Sequence, residues 1–201
     1  MPEEYISLPL HPGFFLRRMR SEDVDAVKKL SDDSVGKDLY LREELLALVD
    51  DADSHFFLLF SESVELAGYV YFYLTDRIEA ERRAKLPSGA FLPLSEAGTP
   101  LGHVQSISIA PQFRSLGLST QLIRFASERL LRLGASLAFV ICWKAGETVP
   151  LAMTMHALHF RLLAETEDVW YDNPHLVCPL CAGRCRCRAE VYYRQLKEEI
   201  I

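Results

Sequence analysis

Two stretches of the chain carry residue types whose spacing suits chemistry. The first is Ile107-Ser-Ile-Ala-Pro-Gln-Phe-Arg-Ser-Leu-Gly-Leu-Ser119, which runs into an amphipathic segment from Thr120 to Leu133. Alternating Ile107 and Ile109 predict the end of a strand. Pro111, with no N–H for a sheet ladder, predicts where it stops. Gly117 permits a positive φ or a close backbone approach, and a helix follows at once. The first N–H groups of a helix have no partner within it, and the helix dipole adds partial positive charge there. A phosphate is the natural guest of such a turn, and Arg114 adds a fixed positive charge beside it. The second stretch is Cys178-Pro-Leu-Cys181-Ala-Gly-Arg-Cys185-Arg-Cys187, which holds four of the five cysteines in the spacing C-x2-C-x3-C-x-C. Under reducing conditions such a cluster argues for metal rather than disulfides. Thiolates at Cys178, Cys181, Cys185 and Cys187 would bind zinc tetrahedrally and close a structural site, with His175 as a substitute ligand. Reduced thiols, a redox disulfide and an iron–sulfur cluster are the alternatives. Cys142 lies in an apolar run and reads as a small buried residue.

The elements that must position these groups follow from pattern. Residues 1–13 read as an irregular lead-in. Phe14 to Met19 reads as a strand. Ser21 is a candidate N-cap for a helix carrying Val24, Val27 and Leu30, which breaks at Asp32 to Gly36. Leu41 to Val49 is a second helix. His55 to Phe60 and Leu66 to Leu74 read as a hairpin. Asp76 to Pro100 is a long connection with a short helix near Glu79 to Lys85; inserts of that length in compact domains are often functional. Gly102 to Ile109 is the next strand, Thr120 to Leu133 the helix after the turn, and Gly134 its C-cap. Ala135 to Trp143 is apolar throughout, as a strand covered on both faces would be. Leu151 to Ala164 reads as a helix, and Asp168 to Tyr171 and Ala189 to Arg194 as short closing strands.

The first stretch and this element order resemble the GNAT superfamily of acyl-CoA-dependent N-acetyltransferases. That family's loop is a strand ending V-x-P, then Arg or Gln, two residues, Gly, one residue, and Gly or Ala. Here the matching residues are Ile109-Ala-Pro111, Arg114, Gly117 and Ser119; Ser119 departs from the pattern but is small. The resemblance spans roughly Phe14 to Tyr193. It implies an α/β (α+β) fold with a mixed, mostly antiparallel sheet, two splayed parallel central strands and flanking helices. It also implies that acetyl-CoA lies between the splayed strands Gly102–Ile109 and Ala135–Trp143. The pantetheine would run along Ile107, Ser108 and Ile109, and the pyrophosphate would rest on Arg114, Ser115, Leu116, Gly117, Leu118 and Ser119. A neutral amine would attack the thioester directly, with a base or water taking its proton and a Tyr steadying the thiolate. The family's helix ends in a pattern like aromatic-Tyr-x-x-x-Gly-Phe. Laid over His159-Phe160, it puts Phe160 at the Tyr position, beside the cofactor but without a proton to give. His156, one turn earlier, and His159 are then candidate acids, each with an ordinary alternative as a packed or solvated helix histidine. His103, on the first splayed strand with Gln105 on the same side of the pleat, is the candidate base, with a structural role as its alternative.

Composition bounds the rest. At 201 residues and 49% hydrophobic the chain suits one packed domain over 1–201, with a Cys-rich insert at 175–188. A net charge of −6 without a basic stripe argues against nucleic acid. No apolar run approaches the ~18 residues of a membrane span. Glu3, Glu4, Pro9 and Pro12 do not read as a signal peptide, so a cytoplasmic location is expected. The expected function is acetyl transfer from acetyl-CoA to a primary amine on a small molecule, an amino acid or a protein. The expected partners are that cosubstrate and that acceptor, with no nucleic acid or membrane and with a homodimer left open. The alternative is a non-catalytic CoA-binding or zinc-containing interaction module on the same fold.

Overall fold

A computed structural model describes residues 5–8, 11–96 and 98–196. Eight strands form one sheet: β1 (Ile6–Ser7), β2 (Phe14–Arg18), β3 (His55–Ser61), β4 (Leu66–Thr75), β5 (Leu101–Ile109), β6 (Leu137–Trp143), β7 (Arg161–Glu167) and β8 (Arg188–Gln195). Five helices flank it: α1 (Val24–Ser34), α2 (Arg42–Asp50), α3 (Arg77–Arg83), α4 (Leu118–Arg132) and α5 (Ala152–Ala157). The strand order is β1-β2-β3-β4-β5-β6-β8-β7. All neighbours pair antiparallel except β5 and β6, which are parallel. This is the mixed sheet with a parallel central pair that the sequence implied. No described helix is long and apolar enough to cross a membrane.

Near-continuous apolar strands are explained by helices on both faces. Along β3, Phe57 and Leu59 point to the face carrying Leu118, Leu122 and Leu130 of α4, while Phe56, Leu58 and Phe60 point to the face carrying Val24, Val27 and Leu45 of α1 and α2. The period of two in the strands and the i, i+4 spacing in α4 thus meet in one core. Gly134, at φ 94°, closes α4.

The event that shapes the site lies in β5. Its register with β4 runs Tyr71↔Ser106 and then Phe72↔Val104, which leaves Gln105 as an extra residue. Such a bulge bends its strand and strengthens the local twist. The parallel pairing of β5 with β6 runs from Leu101↔Leu137 to Val104↔Val140 and stops there. Beyond the bulge β5 continues to Ile109 on β4 and β6 continues to Trp143 on β8, so the two strands part.

Several expectations are corrected. The helix expected over Leu151–Ala164 ends at Ala157, and Arg161–Glu167 is strand β7. Phe160 N–H bonds to Met155 O at 2.9 Å, and His159 takes a left-handed φ of 58°, which ends the helical path. Asp168–Tyr171, expected as a strand, consists of turns. Ser21 does not cap a helix; Ser21–Asp23 form a 3-10 turn ahead of α1, and Asp23 Oδ2 accepts the Arg20 N–H at 2.8 Å. That α1 runs on to Ser34 places its break later than expected. Within the lead-in, Ile6–Ser7 pair with β2.

The long connection is ordered around a buried carboxylate. Glu81 on α3 accepts the N–H groups of Gly89 (2.9 Å) and Phe91 (3.0 Å), and Phe91 packs against Phe139 of β6.

Candidate functional site

A cavity of about 760 Å³ lies where β5 and β6 part. Its floor is the two strand ends from Val104 and Val140 onward, and its far end is the turn into α4. In that turn Ser115 (φ 63°) and Gly117 (φ 74°) are both left-handed, and α4 begins at Leu118. The first N–H of α4 to find a helical partner is that of Gln121, on Gly117 O at 3.3 Å. The N–H groups before it are left for another acceptor, and the first turn holds no acidic side chain. Arg114 folds back, its Nε donating to Ile109 O at 3.1 Å. Ala110 N–H crosses to Ala67 O on β4 at 2.9 Å, so by the alternation of a strand the backbone groups of Ile109 and Ile107 face the gap. Ser108 Oγ is buried and has no hydrogen-bond partner among the described residues.

Every residue expected along the cofactor lines this cavity except Leu116, which is exposed, and Phe160, which is buried in the core. Phe160 is therefore corrected. The left-handed turn at His159 is the place of the Gly in the family's Tyr-x-x-x-Gly-Phe pattern. This makes Phe160 its Phe and puts Met155 where the Tyr would stand. Met155 is fully buried. Its neighbour Thr154 does line the cavity, with its hydroxyl 3.1 Å from Ser119 Oγ. This contact ties α5 to the mouth of α4 and uses the serine that departs from the family's Gly or Ala.

The three histidines stand apart from the cavity. His156 is exposed, edge-on to Tyr192. His159 lines a separate cavity of about 470 Å³ between α4 and β8. His103 is buried, stacked on Phe139 at 4.3 Å. Its Nδ1 lies 2.8 Å from Tyr73 Oη, which also donates to Gln105 Oε1 at 3.1 Å. The hydroxyl has one proton; with that proton on Gln105 the imidazole donates from Nδ1, and Nε2 is a buried lone pair without a partner. Burial, with Arg83 nearby, pushes the His103 pKa down to about 3, so the ring is neutral. A ring locked behind Tyr73 and held neutral at so low a pKa is a structural member of the sheet and, against expectation, no base for the attacking amine.

Among the described residues no Asp, Glu or His lines the large cavity, and Arg114 is the one charged residue on its lining. The Cys142 thiol on the lining is pushed up to about 12 by burial and then by Glu190, and it stays protonated. Trp143, Trp170, Leu39 and Leu176 also wall the cavity. Sequence reading passed over both tryptophans and Thr154. The one signal was that Trp143 closes the predicted splayed strand, so its side chain had to reach the gap or the opposite face. The described part of the Asp76–Pro100 connection contributes nothing to the lining.

The profile described as the Acetyltransferase (GNAT) family matches residues 22–148, more than half of the chain, and the protein belongs to that family. No curated protein matches the chain in a search by sequence. Among solved structures, NAA60 of Arabidopsis thaliana in complex with acetyl-CoA superposes with a TM-score of 0.70 at 12% identity, over 91% of this chain and 98% of that one. The ribosomal-protein-S5-alanine acetyltransferase of Vibrio fischeri gives 0.65 at 10% identity, over 98% of each chain. The Salmonella typhimurium acetyl transferase that modifies the N-terminal serine of ribosomal protein L7/L12 gives 0.62 at 14% identity, over 94% and 99%. At these identities the likeness is one of fold.

Proposed function

We propose that the protein is an N-acetyltransferase that moves an acetyl group from acetyl-CoA to a primary amine. The observation that carries this reading is the parting of β5 and β6 at the Gln105 bulge, with a cavity at the gap that ends on the free N–H groups of α4. The pyrophosphate rests on the turn from Ser115 to Ser119, where the N–H groups and the helix dipole receive its charge. The pantetheine hydrogen-bonds to the outward backbone of Ile107 and Ile109, and Ser108 Oγ gains a partner. The thioester then lies beside Val104 and Val140, where the strands separate. The acceptor enters along the tryptophan-lined wall. Protein N-termini are the first acceptors to try, because the name of one similar structure carries that activity and another names a ribosomal protein as its substrate.

The attacking amine must be neutral. With no carboxylate or imidazole on the lining among the described residues, its proton leaves through water. The thiolate departs without a tyrosine donor, as CoA is a tolerable leaving group. The same missing tyrosine is what a non-catalytic CoA-binding module would show, and the two readings separate on turnover.

Calorimetric titration with acetyl-CoA, beside Gly117→Asp, tests the reading. A Cβ at Gly117 would meet only His11 Nε2, an ordinary contact at 3.7 Å, but at φ 74° any side chain strains the backbone, so circular dichroism must show that Gly117→Asp keeps its fold before lost binding is read as a lost phosphate seat. Binding that disappears in Gly117→Asp, followed by acetylation of members of a panel of amines and free-N-terminal peptides, is the expected result. Binding without turnover of any amine favours the non-catalytic module, and no binding by the wild-type protein overturns both.

A further inference from the structure

The loop between β7 and β8 has no regular structure of its own, yet it is built into two parts of the molecule. Val177 N–H donates to Lys37 O at 2.8 Å, and Asn173 Nδ2 to Leu39 O at 3.4 Å, so the loop lies across the α1–α2 connection. The approach is close: a Cβ on Gly36 would stand 2.8 Å from Leu176 Cδ1. Leu176, Cys178 and Cys185 are buried in the cluster shared with α1, α2 and β4. Cys178, Pro179 and Cys185 also line the large cavity, as do Trp143 and Trp170.

The four sulfurs share a centre. All lie within 4.8 Å of one another, and Cys187 Sγ is 3.6 Å from both Cys178 Sγ and Cys181 Sγ. A tetrahedral zinc with Zn–S bonds of ~2.3 Å separates its sulfurs by about 3.8 Å. Two disulfides would instead give each sulfur one near partner. Cys178, Cys181, Cys185 and Cys187 are all unbonded to one another. N–H groups converge on the cluster: those of Cys181 and Leu180 on Cys178 Sγ, and that of Arg186 on Cys181 Sγ at 3.5 Å. Such second donors orient thiolate ligands. Trp143 and Cys187 pack against the same buried cluster. Four thiolates around a divalent ion carry a net charge of −2, and Arg184 and Arg186 of the same loop lie over Tyr171 beside it. His175 is not one of the converging ligands.

We propose that Cys178, Cys181, Cys185 and Cys187 hold one Zn²⁺, and that this metal-tied loop is the outer wall of the acceptor half of the cavity. The four-thiolate set leaves no open position, so the ion is structural. It holds Cys187 in the cluster that Trp143 packs against, and Leu176 and Cys178 against the cavity. The phosphate seat at Gly117 is built from other residues of the lining. The claim about the acceptor rests on the acetyl-transfer reading; the claim about the metal does not.

The test uses the whole chain. Elemental analysis should give about one zinc per protein, and Co²⁺ in its place should give the visible bands of a tetrahedral thiolate site. Both tryptophans of the chain line the wall, so chelating the metal should shift their emission to the red and open them to acrylamide. Acetyl-CoA affinity should hold within about twofold, as expected for separate sites, while KM for free-N-terminal peptides rises severalfold. Zinc should reverse both changes. Cys181→Ser, at the exposed ligand, is the second variant and should show the same pattern in a protein whose circular dichroism is unaltered. Absence of metal, with four titratable thiols and emission indifferent to added zinc, overturns the site. Bound zinc whose removal moves neither emission nor peptide KM overturns the wall. Failure of the zinc-loaded protein to bind acetyl-CoA would sink the acetyl-transfer reading alone, with metal content and emission still deciding the site.

Discussion

At the scale of single residues, the acid–base chemistry is defined by what the cavity lacks. His103 has the right residue type on the right strand, but burial holds it neutral and Tyr73 occupies its Nδ1. His103→Gln should therefore leave the pH dependence of kcat/KM unmoved, with the rate climbing toward the acceptor amine's own pKa and no inflection from an enzyme group near pH 6.5. The stability profile should change instead. The folded pKa of about 3 lies below the unfolded value of 6.5. As pH falls from 6.5 toward 3 the unfolded chain binds a proton that the folded chain refuses, so stability is lost over that window, by up to ~1.4 kcal/mol per pH unit. Thermal midpoints measured across it should fall less steeply in His103→Gln than in the wild-type protein. An equally steep fall in both would remove His103 as the cause. Sequence alone showed the imidazole and its strand; it did not show the hydroxyl of Tyr73 arriving from β4.

At the scale of elements, strands and helices buried on both sides were the readable ones. Runs such as His55–Phe60 and Ala135–Trp143 are continuous because both faces are covered, and α4 announces itself by Leu118, Leu122, Ala126 and Leu130. Strand β7 was missed for the opposite reason. It is the edge strand of the sheet, mostly exposed, and Arg-Leu-Leu-Ala-Glu-Thr-Glu has neither a period of two nor an apolar run. Its leucines prolong the helical spacing of α5 on paper, which carried the reading past His159 and set Phe160 in the wrong register. Only a backbone at positive φ reveals the break. The Gln105 bulge was likewise illegible, because an extra residue in one strand is defined by its partner. The connection after β4 read as a long insert with one short helix, and α3 stands there, but the side chain that organises the rest was not legible. Glu81→Ala removes the acceptor of two N–H groups and should cost about 1–3 kcal/mol. The measurable consequence is faster proteolysis within residues 86–96, and an unchanged cleavage rate would refute the role given to Glu81.

At the scale of the whole molecule, the sheet is one surface with an interruption at its centre. Most sheets protect their inner strands completely and leave their edges to solvent. Here the outward backbone groups of Ile107 and Ile109 amount to an edge placed in the middle of the fold. On the proposed function, acetyl-CoA is the strand that fills this gap. Hydrogen exchange at Ile107 and Ile109 should be slowed by acetyl-CoA well beyond any change in β3, and equal effects in the two strands would contradict the geometry. The linkage runs in both directions. A ligand at 100 times its dissociation constant adds about 2.7 kcal/mol to the folded state, a sizeable share of a domain's usual margin. With acetyl-CoA bound as proposed, protein turnover in the cell would be coupled to acetyl-CoA supply: a chain starved of it would unfold more often, and be degraded sooner, than one that is charged.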